Sequence, residues 1–468
     1  KTSSVYGTEH YISCIRVLWC IRLLDFLELS MIMPTLQALL NLLGGSATYY
    51  YLALFLYTAV LMCCRKFVGL YADRTHNVLF LYRVLLAMSV LANSFYALSP
   101  SLGSPVMVVV ARASCALGAS TENLAFFYLK LVKDDPGEMR TWATRMATTR
   151  SIGYLGGPVL ATLLLAPYPT GTQVTSSTNW SLLDWTKWQS PIGEFGIIGV
   201  ALAVANLAML FLLNIVWKDP PSKPKQAPPK DPLRTSGAGL PEEMSIRSFF
   251  MHWAVAAVVL GNSVGCFLGL GFENIIPLTT RSILGWGPHL ARYNGFIYIA
   301  IGASLLLGQS GVAVITSKYA KVVSDGACFL FGLAGMSCGC AFIAMVWSTI
   351  SPGDYTDPFG KDYSVTLMFV GPPLITGFFM PFCMNSSTAL FVRLVSHSCG
   401  SKLGLAQAIQ MNCVSLATLL IPAYQFVTYP PSMQESRQSP CLSIGLMSLL
   451  GFVVLSLGIA AKHIWGTG

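Results

Sequence analysis

The amino-acid sequence predicts an all-α membrane protein with twelve transmembrane helices arranged as two six-helix bundles. Three observations lead to this fold class. The 468 residues are 54% hydrophobic and only 10% charged, whereas a soluble domain carries about 25% charged residues. Apolar runs of about 20 residues, the length that crosses a ~30 Å hydrocarbon core, recur along the whole chain. One long polar stretch separates the first six of these runs from the last six.

Each apolar run is long enough to cover the hydrocarbon core as an α-helix. The mean hydropathy of +0.61 agrees with so many spans. The first half contains the predicted spans 12–42, 48–70, 78–98, 105–131, 142–166 and 193–217. The second half contains the predicted spans 249–280, 291–315, 325–349, 365–393, 403–427 and 441–464.

The polar stretch defines the predicted domain organisation. Residues 218–247 are rich in Pro and Lys and poor in aliphatic side chains. Such a segment cannot bury enough apolar surface to fold alone, so we expect an extended linker. The linker is expected to join an N-terminal six-helix bundle, residues 1–217, to a C-terminal six-helix bundle, residues 248–468.

The distribution of basic residues predicts the orientation in the membrane. The formal charge of +9 does not indicate a nucleic-acid partner, because the basic residues are spread over short loops. One alternate set of loops is the more basic, with Arg65, Lys66, Arg74, Lys130, Lys133, Arg140, the linker lysines, Lys318, Lys321, Arg393 and Lys402. By the positive-inside rule, this set, the linker and both termini face the cytosol. The sequon Asn179-Trp180-Ser181 then falls on the opposite side, which makes Asn179 a glycosylation candidate.

The sequence contains no motif typical of an enzyme. A phosphate-binding glycine loop with lysine and H-E-x-x-H are missing, and no G-x-S-x-G pattern lies at a strand-to-helix turn. The six histidines are scattered singly, and the thirteen cysteines lack the spacing of metal ligands. We therefore expect no catalytic residues, no cofactor and no metal site. Without a nucleotide site, uphill movement of a solute would have to draw on an ion gradient.

Ionised side chains inside span one are candidates for a solute or ion path, because charge within a bilayer is costly unless it faces a cavity or a partner. Arg22, Asp25 and Glu28 recur every three residues, which predicts that they share one helical face. A carboxylate on such a face can also carry protons, since removal from water favours its neutral form. The alternative is a self-contained cluster that fixes helix packing.

Three further spans contribute to the predicted path. In span four, Arg112 lies beside a run of Val and Met, and Glu122 follows ten residues later, close to three helical turns. A structural ion pair is the alternative there. Arg150 of span five is expected near the cytosolic end of the cavity, and Glu273 with Asn274 of span seven completes the path.

Two sequence elements resemble the major facilitator superfamily. Gly69-Leu70-Tyr71-Ala72-Asp73-Arg74, between spans two and three, resembles its cytosolic loop signature G-x-x-x-D-R-x-G-R-[KR], without the second glycine and the following basic cluster. Gly153-Tyr154-Leu155-Gly156-Gly157-Pro158 in span five resembles its G-x-x-x-G-P element. The resemblance implies two six-helix bundles with the substrate path between them. It also implies a cytosolic latch at Gly69, Asp73 and Arg74, for which a plain solvated loop is the alternative, and close helix packing at Gly153, Gly156, Gly157 and Pro158.

A narrower resemblance covers span seven and the start of span eight. The pattern from Phe272 to Thr279, then Trp286 and Tyr293-Asn294-Gly295, is similar to one group of facilitators. That group includes the lysosomal member mutated in variant late-infantile neuronal ceroid lipofuscinosis and the SPX-domain vacuolar phosphate transporters of plants. The resemblance implies a lysosomal, vacuolar or other intracellular membrane. Span eleven departs from the group, because Ser415 to Pro422 lacks its arginine and glycine.

These observations predict a secondary transporter or anion-permeable carrier that moves a small anionic solute by alternating access. Arginines at positions 22, 112 and 150 would place fixed positive charge in a low-dielectric cavity, which favours chloride, phosphate or small organic acids. The carboxyl groups at positions 25, 28, 122 and 273 are candidates for proton coupling. The expected partners are the lipid bilayer and a small solute or ion.

Two alternatives stay open at the sequence level. The incomplete loop signature and the departures in span eleven favour a transport-inactive subunit with a structural or assembly role in a larger membrane complex. A neutral, sugar-like solute would instead depend on amides such as Gln407 and Gln410.

Overall fold

A computed structural model describes residues 8–75, 77–121, 124, 125, 128, 136–165, 185–217, 246–286, 291–319, 323–351, 353, 355, 360–398, 403–429 and 438–465. Within these ranges the chain forms twelve long helices. Those of the first half are α1 Thr8–Leu42, α2 Ala47–Thr75, α3 Val78–Leu102, α4 Pro105–Gly118, α5 Pro136–Leu165 and α6 Trp185–Val216. A short helix, Ile246–Met251, precedes the second half. The helices of that half are α7 Trp253–Leu284, α8 Ala291–Lys318, α9 Asp325–Thr349, α10 Tyr363–Ser398, α11 Leu403–Thr428 and α12 Gln438–Trp465.

The predicted all-α membrane fold is confirmed. The helices lie close to their predicted spans, except that α4 ends at Gly118, well before the predicted end at residue 131, and α6 begins at Trp185, ahead of the predicted start at residue 193. In the described residues, nine helices are long and apolar enough to cross a membrane by length and composition. The other three are α4, of which 14 residues are described, and α1 and α5, whose sequences contain several ionised residues. The predicted linker, apart from its last two residues, and Asn179 lie outside the described residues. The domain boundaries therefore stay a prediction.

Local signals in the sequence account for several helix ends. The side chain of Asn77 accepts a hydrogen bond from the backbone N–H of Phe80 (3.0 Å) and caps the start of α3. Ser324 does the same for Ala327 at the start of α9 (3.2 Å). At the end of α7, Gly285 adopts a left-handed conformation with φ of 68°, which glycine reaches without a steric penalty.

The same helix pairs recur in the two halves. α1 packs on α5, α3 on α6 and α2 on α4, and the corresponding pairs six helices later are α7–α11, α9–α12 and α8–α10. The halves contact each other mainly through α2–α11 and α5–α8. The fold is therefore two related six-helix units that meet along two seams.

Glycines bring the backbones close together around α5. A Cβ built on Gly153 would lie 2.6 Å from the backbone O of Leu23, and one on Gly157 would lie 2.7 Å from that of Leu27. These two glycines are four residues apart and pack α5 on α1. Gly156 differs, because its Cβ would meet no atom within 4 Å. The close packing expected at Gly156 is thus not seen, since that position lies on another face of the helix.

The seam between α5 and α8 is equally close. A Cβ on Gly302 would lie 2.8 Å from the Cα of Leu155, and one on Gly295 would lie 2.5 Å from Oγ1 of Thr162. Pro158 is buried within α5. The backbones of the two halves thus lie close to each other along this seam, with few side-chain atoms between them.

The two membrane faces of the protein differ. We call the face on which α1 begins and α12 ends the terminal face, and the other the opposite face. Toward the opposite face, Tyr50 Oη donates a hydrogen bond to the backbone O of Asn274 (2.9 Å). Its neighbour Tyr51 donates to the backbone O of Tyr429 (3.1 Å). These bonds tie α2 of the first half to α7 and α11 of the second.

Candidate functional site

A cavity lies between the two halves. Its empty volume is about 1120 Å³, counted with its mouth, and it is lined by α1, α2, α4 and α5 on one side and by α7, α10 and α11 on the other. Lining residues extend from Arg22 to Met33 on α1, from Arg65 to Leu54 on α2 and from Met411 to Pro422 on α11. Each pair is eleven residues apart, so the cavity runs ~16 Å along the helices.

All the ionisable lining residues of the described chain, apart from tyrosines and Cys266, come from the first half. They are Arg22, Asp25, Arg65, Arg112 and Arg150. Four guanidinium groups therefore face one carboxylate. In a cavity of low dielectric constant, such an excess of fixed positive charge favours anions over cations.

Two of the arginines share one aromatic ring. The guanidinium carbons of Arg22 and Arg150 lie 4.9 and 4.8 Å from the centroid of the Phe26 ring, within cation–π range. Arg22 Nη1 also pairs with Asp25 Oδ2 at 3.3 Å. The same Asp25 oxygen accepts a hydrogen bond from Thr121 Oγ1 (2.5 Å). This end of the cavity keeps a net positive charge, because Asp25 pairs with Arg22 and Arg150 adds a second cation beside the same ring.

Arg112 lacks a direct hydrogen-bond partner among the described residues, although the buried carboxylate of Glu28 interacts with it electrostatically from within the first bundle. Its side chain is 1% exposed, and its guanidinium carbon lies 4.7 Å from the ring centroid of Tyr57. Within the described residues, none of its three guanidinium nitrogens has a hydrogen-bond partner. Leaving buried donors unpaired is costly, so an anion that reaches this point would gain hydrogen bonds that the protein does not supply. Glu122, expected on the same stripe, lies outside the described residues.

Glu28 does not share the cavity face expected for it. Arg22 and Asp25 are lining residues, but Glu28 is not. It accepts hydrogen bonds from Asn93 Nδ2 on α3 (2.9 Å) and Asn206 Nδ2 on α6 (3.3 Å). Steps of three residues drift by about 60° each around a helix, so two steps turn Glu28 into the interior of the first bundle.

Glu273 and Asn274 lie where the halves meet. Glu273 is completely buried, and its carboxylate accepts a hydrogen bond from the Tyr154 hydroxyl of the first half. Tyr298 Oη donates to the backbone O of Glu273 (2.7 Å). Asn274 lines the cavity, whereas Glu273 is not a lining residue. Sequence reasoning missed Tyr154 as a partner, because the two residues are 119 positions apart.

Arg65 corrects the sequence interpretation. The charge pattern of the sequence predicts a position in a basic loop, but Arg65 lies within α2, is 8% exposed and donates from Nη1 to Ser415 Oγ on α11 (2.8 Å). The available signal was its position inside the predicted span 48–70. Tyr57, Leu61 and Arg65 are spaced by four and all line the cavity.

The remaining predicted site residues are placed outside the cavity or lie outside the description. Gly69 and Arg74 belong to the last turns of α2, and Arg74 is exposed. A Cβ on Gly69 would meet no atom within 4 Å. The side chain of Asp73 is not described, so the latch stays a prediction. Gln410 is buried but is not a lining residue, and the side chain of Gln407 is not described.

Comparisons with known proteins agree with this architecture. The sequence model of the Major Facilitator Superfamily matches residues 18–422. A bacterial homologue of the human lysosomal transporter Spinster, inward-facing and occupied, is similar with a TM-score of 0.66 at 14% identity, covering 97% of each chain. A D-xylose–proton symporter gives 0.66 at 14% identity over 98% of each chain. The human organic anion transporter MFSD10 gives 0.61 at 13% identity over 95% of this chain and 99% of its own. A comparison with curated proteins finds no match.

Proposed function

The chain belongs to the major facilitator superfamily, and on that premise we propose that it is a secondary carrier of a small anionic solute. The single observation that carries this proposal is Arg112, which is buried, faces the cavity and has no hydrogen-bond partner for its guanidinium nitrogens within the described residues. An anion seated there would satisfy those donors with strong, charge-assisted hydrogen bonds.

The charge of the whole cavity supports the same class of solute. Four arginines and one carboxylate line it, and Asp25 is already paired with Arg22. A cation entering this cavity would meet three further guanidinium groups. An anion would be attracted to all of them over distances at which water provides little screening.

The arrangement of the halves supports transport by alternating access. Tyrosine hydrogen bonds join the halves toward the opposite face, and the lined cavity lies at mid-depth between the halves. Rocking of one bundle against the other would expose the same site to each side in turn. By the positive-inside rule the terminal face is cytosolic. The proposed location, an intracellular membrane such as the lysosome or vacuole, rests on the resemblance of spans seven and eight alone.

Proton coupling is a second part of the proposal. Asp25 lies in the cavity beside two arginines, and Glu273 lies between the halves with a hydrogen bond from Tyr154. Either carboxyl group would change its charge when the site changes sides. Glu28 is less suited, because two amides already satisfy it. Equal uptake with and without an imposed proton gradient would contradict proton coupling. The proposal of an anion carrier would still stand.

The test is uptake of a panel of labelled anions by proteoliposomes that contain the purified chain. Arg112→Ala is expected to lower uptake by at least about tenfold, equivalent to ~1.4 kcal/mol of lost binding, because the charged donors are gone. The matched control is Arg83→Ala. Arg83 is an exposed arginine of α3 whose Nε donates to Asn214 Oδ1 at 2.7 Å, away from the cavity. Equal anion uptake by the parent and by Arg112→Ala would contradict the proposal.

The same experiment separates the alternatives. A transport-inactive subunit would give no uptake of any solute and would co-purify stably with a larger membrane complex. A sugar-like carrier would move neutral solutes at a rate that Arg112→Ala does not change. Within the described lining of the cavity, Asn274 is the one amide, and Gln410, on which the sugar alternative also depends, is not a lining residue.

A further inference from the structure

The two walls of the cavity differ in chemistry. The wall from the first half carries the four arginines and Asp25. The wall from the second half is formed by α7, α10 and α11, and within the described residues it contains no Asp, Glu, Lys or Arg. Its surface is mainly hydrocarbon and thioether, from Leu270, Met384, Met411, Val414, Ile421 and Pro422.

The polar atoms of the second wall are largely engaged already. Ser415 Oγ accepts a hydrogen bond from Arg65. Thr418 Oγ1 donates to the backbone O of Ser415 (2.8 Å), and the backbone O of Asn274 accepts from Tyr50 (2.9 Å). Besides the side-chain amide of Asn274, few polar atoms remain on this wall for a solute that needs hydrogen bonds on every side.

This asymmetry separates two kinds of anion. Inorganic phosphate and chloride are strongly hydrated on every side, so one face of the ion would lose its water against the apolar wall without compensation. An organic anion with an acidic group at one end and an apolar body would place each part against a matching wall. Burial of the apolar body against Leu270 and Met411 would then add to its binding.

We infer, resting on the proposed function, that the solute is an amphiphilic organic anion. Its acidic group binds Arg112 beside Tyr57, and its apolar body lies against the second-half wall. The ~16 Å extent of the lining along the helices sets the upper length of the molecule.

The experiment uses sulfonates, which stay ionised and therefore do not leak across the bilayer as neutral acids. Methanesulfonate, benzenesulfonate and naphthalenesulfonate share one acidic group and increase in apolar area, while chloride and inorganic phosphate serve as hydrophilic anions. Binding to the full chain in lipid nanodiscs is measured by titration calorimetry, and uptake is measured in proteoliposomes. Affinity is expected to rise by about tenfold or more from methanesulfonate to naphthalenesulfonate.

Variants of the apolar wall test where the body lies. Leu270→Ala and Met411→Ala are expected to weaken naphthalenesulfonate binding by about three- to tenfold and to leave methanesulfonate binding unchanged. The matched control is Leu420→Ala, on the same helix as Met411 but 53% exposed and outside the cavity lining. The ratio of two affinities within one variant does not depend on how much of the sample is folded.

The possible failures can be told apart. If chloride and phosphate bind and are transported as well as naphthalenesulfonate, or if the wall variants leave the ratio unchanged, the amphiphile inference is overturned while the anion carrier stands. If the parent chain transports no anion and Arg112→Ala changes nothing, the proposed function itself fails, and the inference fails with it.

Discussion

The two halves share one arrangement of helices but differ in what fills their interiors. Of the buried charged side chains in the described residues, Arg22, Glu28, Arg65 and Arg112 belong to the first half and Glu273 alone to the second. Amides, hydroxyls and aromatic rings surround the charges of the first half, and the hydroxyl that binds Arg65 comes from Ser415 of the second half. Two bundles with the same arrangement of helices can therefore differ in the charge of their buried side chains.

The second half, with few buried charges among the described residues, packs through close backbone contact of the kind that also joins α1 to α5 in the first half. Gly332, Gly335 and Gly339 lie on one face of α9 against α10. A Cβ on Gly332 would lie 2.7 Å from the backbone C of Phe382, and one on Gly339 would lie 3.0 Å from the backbone N of Thr376. A neutral bundle can be held by shape in this way, because close contact between small residues gains dispersion energy without burying a polar group. A charged bundle needs partners for its charges.

The largest expected effect removes the close packing of the second half. Gly332→Ala places a methyl group against the backbone of Cys383 and Phe382, which can be relieved only by separating α9 from α10. Overpacking of this kind costs about 1–3 kcal/mol or more, so the melting temperature in detergent should fall sharply. The matched control is Gly371→Ala in α10, where a Cβ would meet no atom within 4 Å. Equal melting temperatures for the two variants would contradict this account.

The second prediction compares the stability lost when a hydrogen bond to a buried charge is removed with that lost when a hydrogen bond between two neutral amides is removed. Asn93→Leu removes a 2.9 Å donor from the buried carboxylate of Glu28 and is expected to destabilise the protein by about 2–3 kcal/mol. Asn385→Leu removes the 2.6 Å hydrogen bond to Gln309 between α10 and α8, a neutral pair, and should cost about 1 kcal/mol. Chemical denaturation of both purified variants gives the comparison. An equal or greater loss for Asn385→Leu would weaken the distinction between the halves.

The smallest effect acts on the contact between the halves. Tyr50→Phe removes one hydrogen bond to Asn274 and leaves the ring in place. Loss of ~1 kcal/mol from the closed arrangement shifts its equilibrium about fivefold toward opening at the opposite face. Labelling of Ile276→Cys, fully buried in α7, by a membrane-impermeant maleimide should increase above that of the same variant with Tyr50 intact. Tyr71→Phe, at an exposed position of the same helix, should leave the labelling unchanged.

The fold could be predicted from the sequence because the transmembrane helices follow from the length of the apolar runs and from the polar stretch between them. The predicted span 325–349 coincides with α9, and the polar stretch separates the helices into six and six. The resemblance to the major facilitator superfamily is confirmed by the family match. The narrower resemblance to the lysosomal and vacuolar group stays a prediction.

The candidate site could be predicted only in part. Five of the predicted path residues, Arg22, Asp25, Arg112, Arg150 and Asn274, line the cavity. Four of the five are charged, and charge inside an apolar run reveals them because it needs a polar neighbour. The direction in which a side chain points was harder to infer. Glu28 turns into its own bundle, and Glu273 pairs across the halves, since both depend on the rotation and register of helices that are distant in sequence.

The close seam between α5 and α8 has a mechanical consequence. Gly295 and Gly302 are seven residues apart, about two helical turns, so α8 presents a smooth strip where Leu155 and Thr162 touch it. Two helices in contact along such a strip can rotate against each other without first separating interdigitated side chains. The α5–α8 seam is thus suited to serve as the axis about which one half rotates against the other. If the halves rock as proposed, the α2–α11 seam, where Arg65 donates a hydrogen bond to Ser415, would be the one that separates.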